Sequence, residues 1–184
     1  KDPKLWGFKE PNLYFLKTEL LDGGNVVDSI KTRFGFREFW LAGADFYLNG
    51  VKTKLRECAT HIYFHPGWID WDKRYAGKPY EGAKAEMESI QLANFNCTRM
   101  VHRPQPAFFY DIADEIGHLV ISHFPAAFNY GQFDLKNPLL AKNAEETVTG
   151  QVRKERNHPS IIMWEGENEG FPYGENEIAR NYAE

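Results

Sequence analysis

The sequence predicts an α/β protein in which a β-hairpin precedes a parallel sheet, and three observations carry that prediction. From residue 54 onward, short apolar runs alternate with segments of helical spacing, the pattern of successive βα units. Residues 161–164, Ile-Ile-Met-Trp, are β-branched and aromatic without alternation, as expected of a strand covered on both faces. Residues 14–36 are rich in β-formers and are broken by the turn cluster Asp22-Gly23-Gly24-Asn25, which makes them a hairpin.

Taken in order, the hairpin runs over 14–20 and 26–36. A lone hairpin is marginal in water, so it requires a larger sheet. Residues 46–50 end in an Asn49-Gly50 turn, and 54–61 read as the first parallel strand. Ala83, Met87 and Ile90 recur at helical spacing before a second strand over 97–102. Phe109, Ile112, Ala113 and Ile116 form the face of a helix that Gly117 stops. Residues 118–124 make a third strand. The next helix opens at Glu145 and Glu146 and closes with Arg153, Lys154 and Arg156, the charge order a helix dipole favours, with Ala144, Val148 and Val152 as its apolar face. Pro159 bars continuation, and 161–164 are strand four. A (β/α)₈ barrel needs about 250 residues and eight strands. Only four strands fit here, so the chain is expected to be a piece of such a unit.

Composition narrows the function classes. The 184 residues are 42% hydrophobic and 26% charged with a formal charge of -4, which suits a chain that buries a core. Lys and Arg form no stripe, and the pI near 5.9 argues against a nucleic-acid partner. No apolar stretch approaches the ~20 residues of a membrane span, and Lys1-Asp2-Pro3-Lys4 lacks a signal-peptide apolar core, so no membrane partner is expected; the compartment stays open. Cys58 and Cys97 have neither CxxC spacing nor a His partner and read as packed thiols. His61, His65, His102, His118, His123 and His158 show no ligand pairing, so neither metal nor other cofactor is expected.

Strand four delivers a carboxylate beside an amide, Asn168-Glu169, at its exit, which is where barrel enzymes carry their catalytic groups. On spacing alone, Glu165, Glu167 and Glu169 are equal rivals for a catalytic carboxylate, and a solvated acidic loop explains them as well. The loop 61–72 opens with the candidate His61 and holds Tyr63, Phe64, Trp68 and Trp71, whose flat faces suit a pyranose, with Asp70 and Asp72 for hydroxyls; packing over a rim is the alternative.

The run from Asn157 to Glu169 resembles the acid/base signature of glycoside hydrolase family 2, N-H-P-S-[IV]-[IL]-x-W-x-x-x-N-E, at Asn157, His158, Pro159, Ser160, Ile161, Ile162, Trp164, Asn168 and Glu169. Trp6, Pro11, Leu13, Tyr14, Asp28 and the run 32–38, Thr-Arg-Phe-Gly-Phe-Arg-Glu, are similar to the end of the immunoglobulin-like sandwich preceding the barrel in that family. Leu55, Arg56 and His61 match its first barrel strand, and Arg99 and His102 its R-x-S-H-Y-P at the exit of strand two. Departures are Glu57, Ala59, Val101, Arg103, Ser122-His123 where many relatives carry an acid, and Glu167 where glycine is usual.

The resemblance implies residues 1–40 as the C-terminal strands of an immunoglobulin-like β-sandwich and 41–184 as the N-terminal half of a TIM barrel. It implies a retaining exo-β-glycosidase with Glu169 as general acid/base, Asn168 on the substrate 2-hydroxyl, and Arg99 reaching a nucleophilic carboxylate supplied downstream. His102, His61, Trp68 and Trp164 would line the sugar site. The partner would be an oligosaccharide or β-glycoside, with the rest of the barrel needed to complete the site and the 184-residue piece inactive alone. A non-catalytic carbohydrate-binding or scaffold protein on a degenerate barrel is the rival, motivated by the altered positions.

Overall fold

A computed structural model describes residues 2–60, 77–101, 104–125 and 137–166. Three sheets follow one another along the chain. The hairpin β1 (Tyr14–Asp22) and β2 (Asn25–Phe34) pairs antiparallel with a register shift between Leu20 and Leu21. β3 (Phe39–Ala42), β4 (Asp45–Leu48) and β5 (Val51–Thr53) form an antiparallel three-stranded sheet. β6 (Glu57–Thr60), β7 (Cys97–Met100), β8 (Leu119–His123) and β9 (Ile161–Glu165) form a parallel sheet in strictly sequential order. Helices α1 (Pro79–Leu92), α2 (Ala107–Ile116) and α3 (Pro138–Glu155) lie in the three crossovers, so the parallel sheet winds in one direction as a barrel does.

Two elements differ from the sequence expectation. The first parallel strand begins at Glu57 rather than Lys54: Val51 to Thr53 pair with β4, and the Asn96 side chain accepts from Arg56 N and donates to Lys54 O. Helix α3 begins at Pro138 rather than at Glu145: the Asn137 side chain accepts a hydrogen bond from Leu139 N at 3.0 Å, and Pro138 sits at the first helical position, where its missing N–H costs nothing. Glu145 and Glu146 are therefore mid-helix and carry no dipole argument.

Alternation along the parallel strands divides the core in two. Met100 and Val120 meet Ala83, Met87, Phe109, Tyr110, Ile112 and Ala113 of α1 and α2, with Ile161 at the far side. Each such large side chain, taken from water, contributes about 1.5–3 kcal/mol. The other face begins at the N-terminal strand ends with Cys97 and Leu119, which pack with Leu48 and Trp6. Trp6 has no exposed surface and donates from Nε1 to Asp114 O at 2.7 Å, sealing that end. The buried Cys97 thiol is pushed up to about 12 by desolvation, as an inert packed thiol should be.

Gly117 ends α2 in the left-handed conformation at φ 68, its N–H returning to Ala113 O. A Cβ there would lie 2.7 Å from both Gly7 O and Phe8 O, so the N-terminal segment lies directly on the helix end. Gly35 is needed for closeness instead, since a Cβ would meet Pro159 Cγ at 2.7 Å.

Candidate active site

The C-terminal ends of β7, β8 and β9 bring Arg99, His123 and Glu165 to one face. Register explains it: Arg99 is opposite Ile121 and His123 is opposite Glu165, and paired residues of a parallel sheet share a face. Arg99 Nε donates to Glu165 Oε2 at 2.5 Å, and Nη2 donates to Oε1, a bidentate pair that passes over β8. Both side chains are about three-quarters buried, at 25% and 23% exposure. The carboxylate holds the guanidinium in its charged form and raises its pKa further. His123 is fully buried; its Nδ1 donates to Phe124 O at 2.7 Å, and its Nε2 lies 3.6 Å from Glu165 Oε2.

A buried polar group stands behind this face, on the helix side of β8. Tyr110 Oη and Ser122 Oγ are 3.1 Å apart, and Gln151 Nε2 donates to Ser122 Oγ at 3.2 Å and to His123 O at 3.1 Å. Ser122 Oγ and Gln151 Nε2 both donate to Glu155 Oε2 at 3.4 Å. Burial pushes the Tyr110 phenol up to about 12 and raises Glu155 above the usual carboxylate range. Sequence periodicity did not reveal this network, because Gln151 and Glu155 continue the α3 face marked by Ala144 and Val148 but are polar. Their spacing of four was the available signal.

Of the residues expected from the resemblance to form the site, Arg99 and Trp164 are described, as is the rival carboxylate Glu165. Trp164 stacks on Phe124 with centroids 5.7 Å apart and planes 8° apart, and it packs against the helix-side core. Glu169, Asn168, His102, His61 and Trp68 lie outside the described residues, as does Glu167. Arg99, expected to reach a nucleophile, is already engaged by Glu165.

Among the described residues, Asp111, Asp114 and His158 place three potential metal-ligand atoms within 4.8 Å of one another. The Arg33 guanidinium already supplies a cation there, at 2.5 Å from Asp111 Oδ1 and 3.5 Å from Asp114 Oδ2.

Residues 77–183 match the family described as glycosyl hydrolases family 2, TIM barrel domain, and residues 1–37 match glycosyl hydrolases family 2. The chain belongs to glycosyl hydrolase family 2. A Formosa agariphila protein, provisionally named a beta-glucuronidase, is 36% identical over 176 residues covering 92% of this chain and 16% of that protein. The beta-galactosidase of Thermoanaerobacterium thermosulfurigenes is 34% identical over 164 residues, covering 89% of this chain and 21% of its own. The apo structure of Bacteroides uniformis beta-glucuronidase 3 superposes with a TM-score of 0.69 at 28% identity, covering 88% of this chain and 19% of that one. The fold of this family 2 chain is therefore the first half of a TIM barrel preceded by the last strands of an immunoglobulin-like sandwich. It spans only about a sixth to a fifth of the length of these curated relatives.

Proposed function

We propose that this chain carries the acid/base half of the active site of a retaining exo-β-glycosidase. Residues 1–40 would close the sandwich, and residues 41–184 would open the barrel. Glu169 protonates the leaving oxygen and then activates water, Asn168 holds the 2-hydroxyl, and a carboxylate outside these 184 residues, about 5–5.5 Å from Glu169, attacks the anomeric carbon. The observation that carries the reading is the Arg99–Glu165 pair. Both carboxylate oxygens of Glu165 are taken up by the Arg99 guanidinium, so neither is presented to a leaving-group oxygen. This weighs against Glu165 as the acid and supports Glu169, the carboxylate that the family signature carries, with Glu167 as the remaining rival.

The substrate class follows from the relatives' names, which include beta-glucuronidases and beta-galactosidases. Aryl β-glucuronides and β-galactosides are therefore the compounds to assay with the full-length protein. Hydrolysis of either that is lost in Glu169→Gln supports the reading. Binding of sugar without turnover supports the rival of a non-catalytic barrel, which the altered positions Glu57, Ser122-His123 and Glu167 motivate.

A further inference from the structure

Glu165 falls at a position that the signature leaves open, yet it makes a bidentate contact with Arg99 on the strand-end face. β7 and β9 are not neighbours; β8 lies between them, so the two backbones stand roughly 10 Å apart. Only a long side chain with paired donors spans that gap and still arrives as a fork, which is what Arg99 does through Nε and Nη2. Meeting the carboxylate side-on fixes the guanidinium plane, and with it the direction of Nη1. His123, immobilised by its bond to Phe124 O and lying 3.6 Å from Glu165 Oε2, walls the pair on the β8 side. Gln151 in turn holds the His123 carbonyl.

We propose that Glu165 is a positioning residue for the glycosidase site, holding Arg99 in the one orientation that meets the attacking carboxylate. This rests on the glycosidase reading above. Two consequences separate it from a merely structural ion pair. Its loss should damage glycosylation whatever the leaving group, because the attacking group and not the departing one is misdirected. Neutralising Glu165 should also leave the Arg99 charge uncompensated, so the attacking carboxylate ionises at lower pH.

The test uses the full-length protein with Glu165→Gln, Glu165→Asp, Arg99→Gln and the double variant Arg99→Gln/Glu165→Gln, assayed for kcat/KM against pH on an activated and a poor aryl glycoside. Expected for Glu165→Gln is a loss of roughly 10- to 100-fold on both substrates, the scale of a misplacement near 1 Å. The acid limb should move to lower pH, Glu165→Asp should recover part of the loss, and the Gln substitution at 165 should cost little once Arg99 is Gln. An unchanged acid limb, or losses that add in the double variant, overturns the positioning role. Glu169→Gln assayed alongside keeps the two claims apart. If it loses the poor substrate while Glu165→Gln behaves as wild type, the positioning role alone fails. If it keeps wild-type kcat/KM on the poor substrate while Glu165→Gln loses both, the acid assignment itself fails.

Discussion

Asp114 Oδ2 on α2 accepts from His158 Nδ1 at 2.7 Å, and through that contact the two sequence signatures are joined. The other oxygen of Asp114 accepts from Ser160 N at 3.1 Å, its carbonyl accepts from Trp6 Nε1, and Arg33 from β2 reaches Asp111, Asp114 and Glu115. Arg37 donates to the carbonyls of Pro159 and Ile161. The Arg-Phe-Gly-Phe-Arg and Asn-His-Pro-Ser runs are thus a structural clasp that fixes where β9 starts, and so where its exit points.

Asp114, 2% exposed at its side chain, should be costly to remove, since the partners it satisfies would be left buried and unpaired. Asp114→Ala is expected to destabilise by roughly 2–4 kcal/mol in urea titration, and Glu115→Ala, 41% exposed, by about 0–1 kcal/mol. Equal losses for the two variants would remove Asp114 from the centre of the clasp.

Gly35→Ala and Gly150→Ala should move stability in opposite directions. A Cβ at Gly35 meets the rigid Pro159 ring at 2.7 and 2.9 Å, so overpacking should cost about 1–3 kcal/mol. Gly150 lies within α3 with nothing within 4 Å of its Cβ position, so alanine should add about 0.5–1 kcal/mol. Thermal melts of both variants report the two signs.

His118 sets a pH dependence. It is fully buried, Thr98 Oγ1 lies 2.7 Å from its Nε2, and burial lowers its pKa from 6.5 to about 4. Between those values the unfolded chain takes up a proton that the folded chain does not, so stability is complete above pH 6.5 and falls by roughly 3 kcal/mol as pH drops to about 4. Glu155 slopes the other way: its pKa is raised, so the folded state holds its proton more tightly and stability falls as pH rises above 4.5. His118→Gln, which retains a polar partner for Thr98, should flatten the pH 4–6.5 stretch of the urea midpoint curve. A slope equal to wild type would contradict this assignment.

The parallel sheet and its helices were legible because burial on both faces writes continuous apolar runs such as 161–164 and 118–124, and Gly117 and Pro159 mark true ends. The start of α3 was missed because its first turns, at 138–144, carry no strong apolar period; the Asn137-Pro138 pair was the signal that marks it. Asp114 was hidden because it sits on an otherwise apolar helix face, where a charge reads as an interruption; its partners come from segments up to 108 residues away. The Arg99–Glu165 pair was equally out of reach, since sequence gives strand order only through topology and a contact that skips a strand only through register.

The acid/base role of Glu169 is tested by Glu169→Ala in the full-length protein, assayed on aryl β-glycosides of good and poor leaving ability with and without azide. Loss of the general acid should abolish hydrolysis of the poor leaving group and spare glycosylation with the activated one, and azide should partly restore turnover by attacking without a base. Arg99→Ala should damage both substrates. An equal loss on both substrates for Glu169→Ala with no azide rescue would contradict the account and move the acid to Glu167.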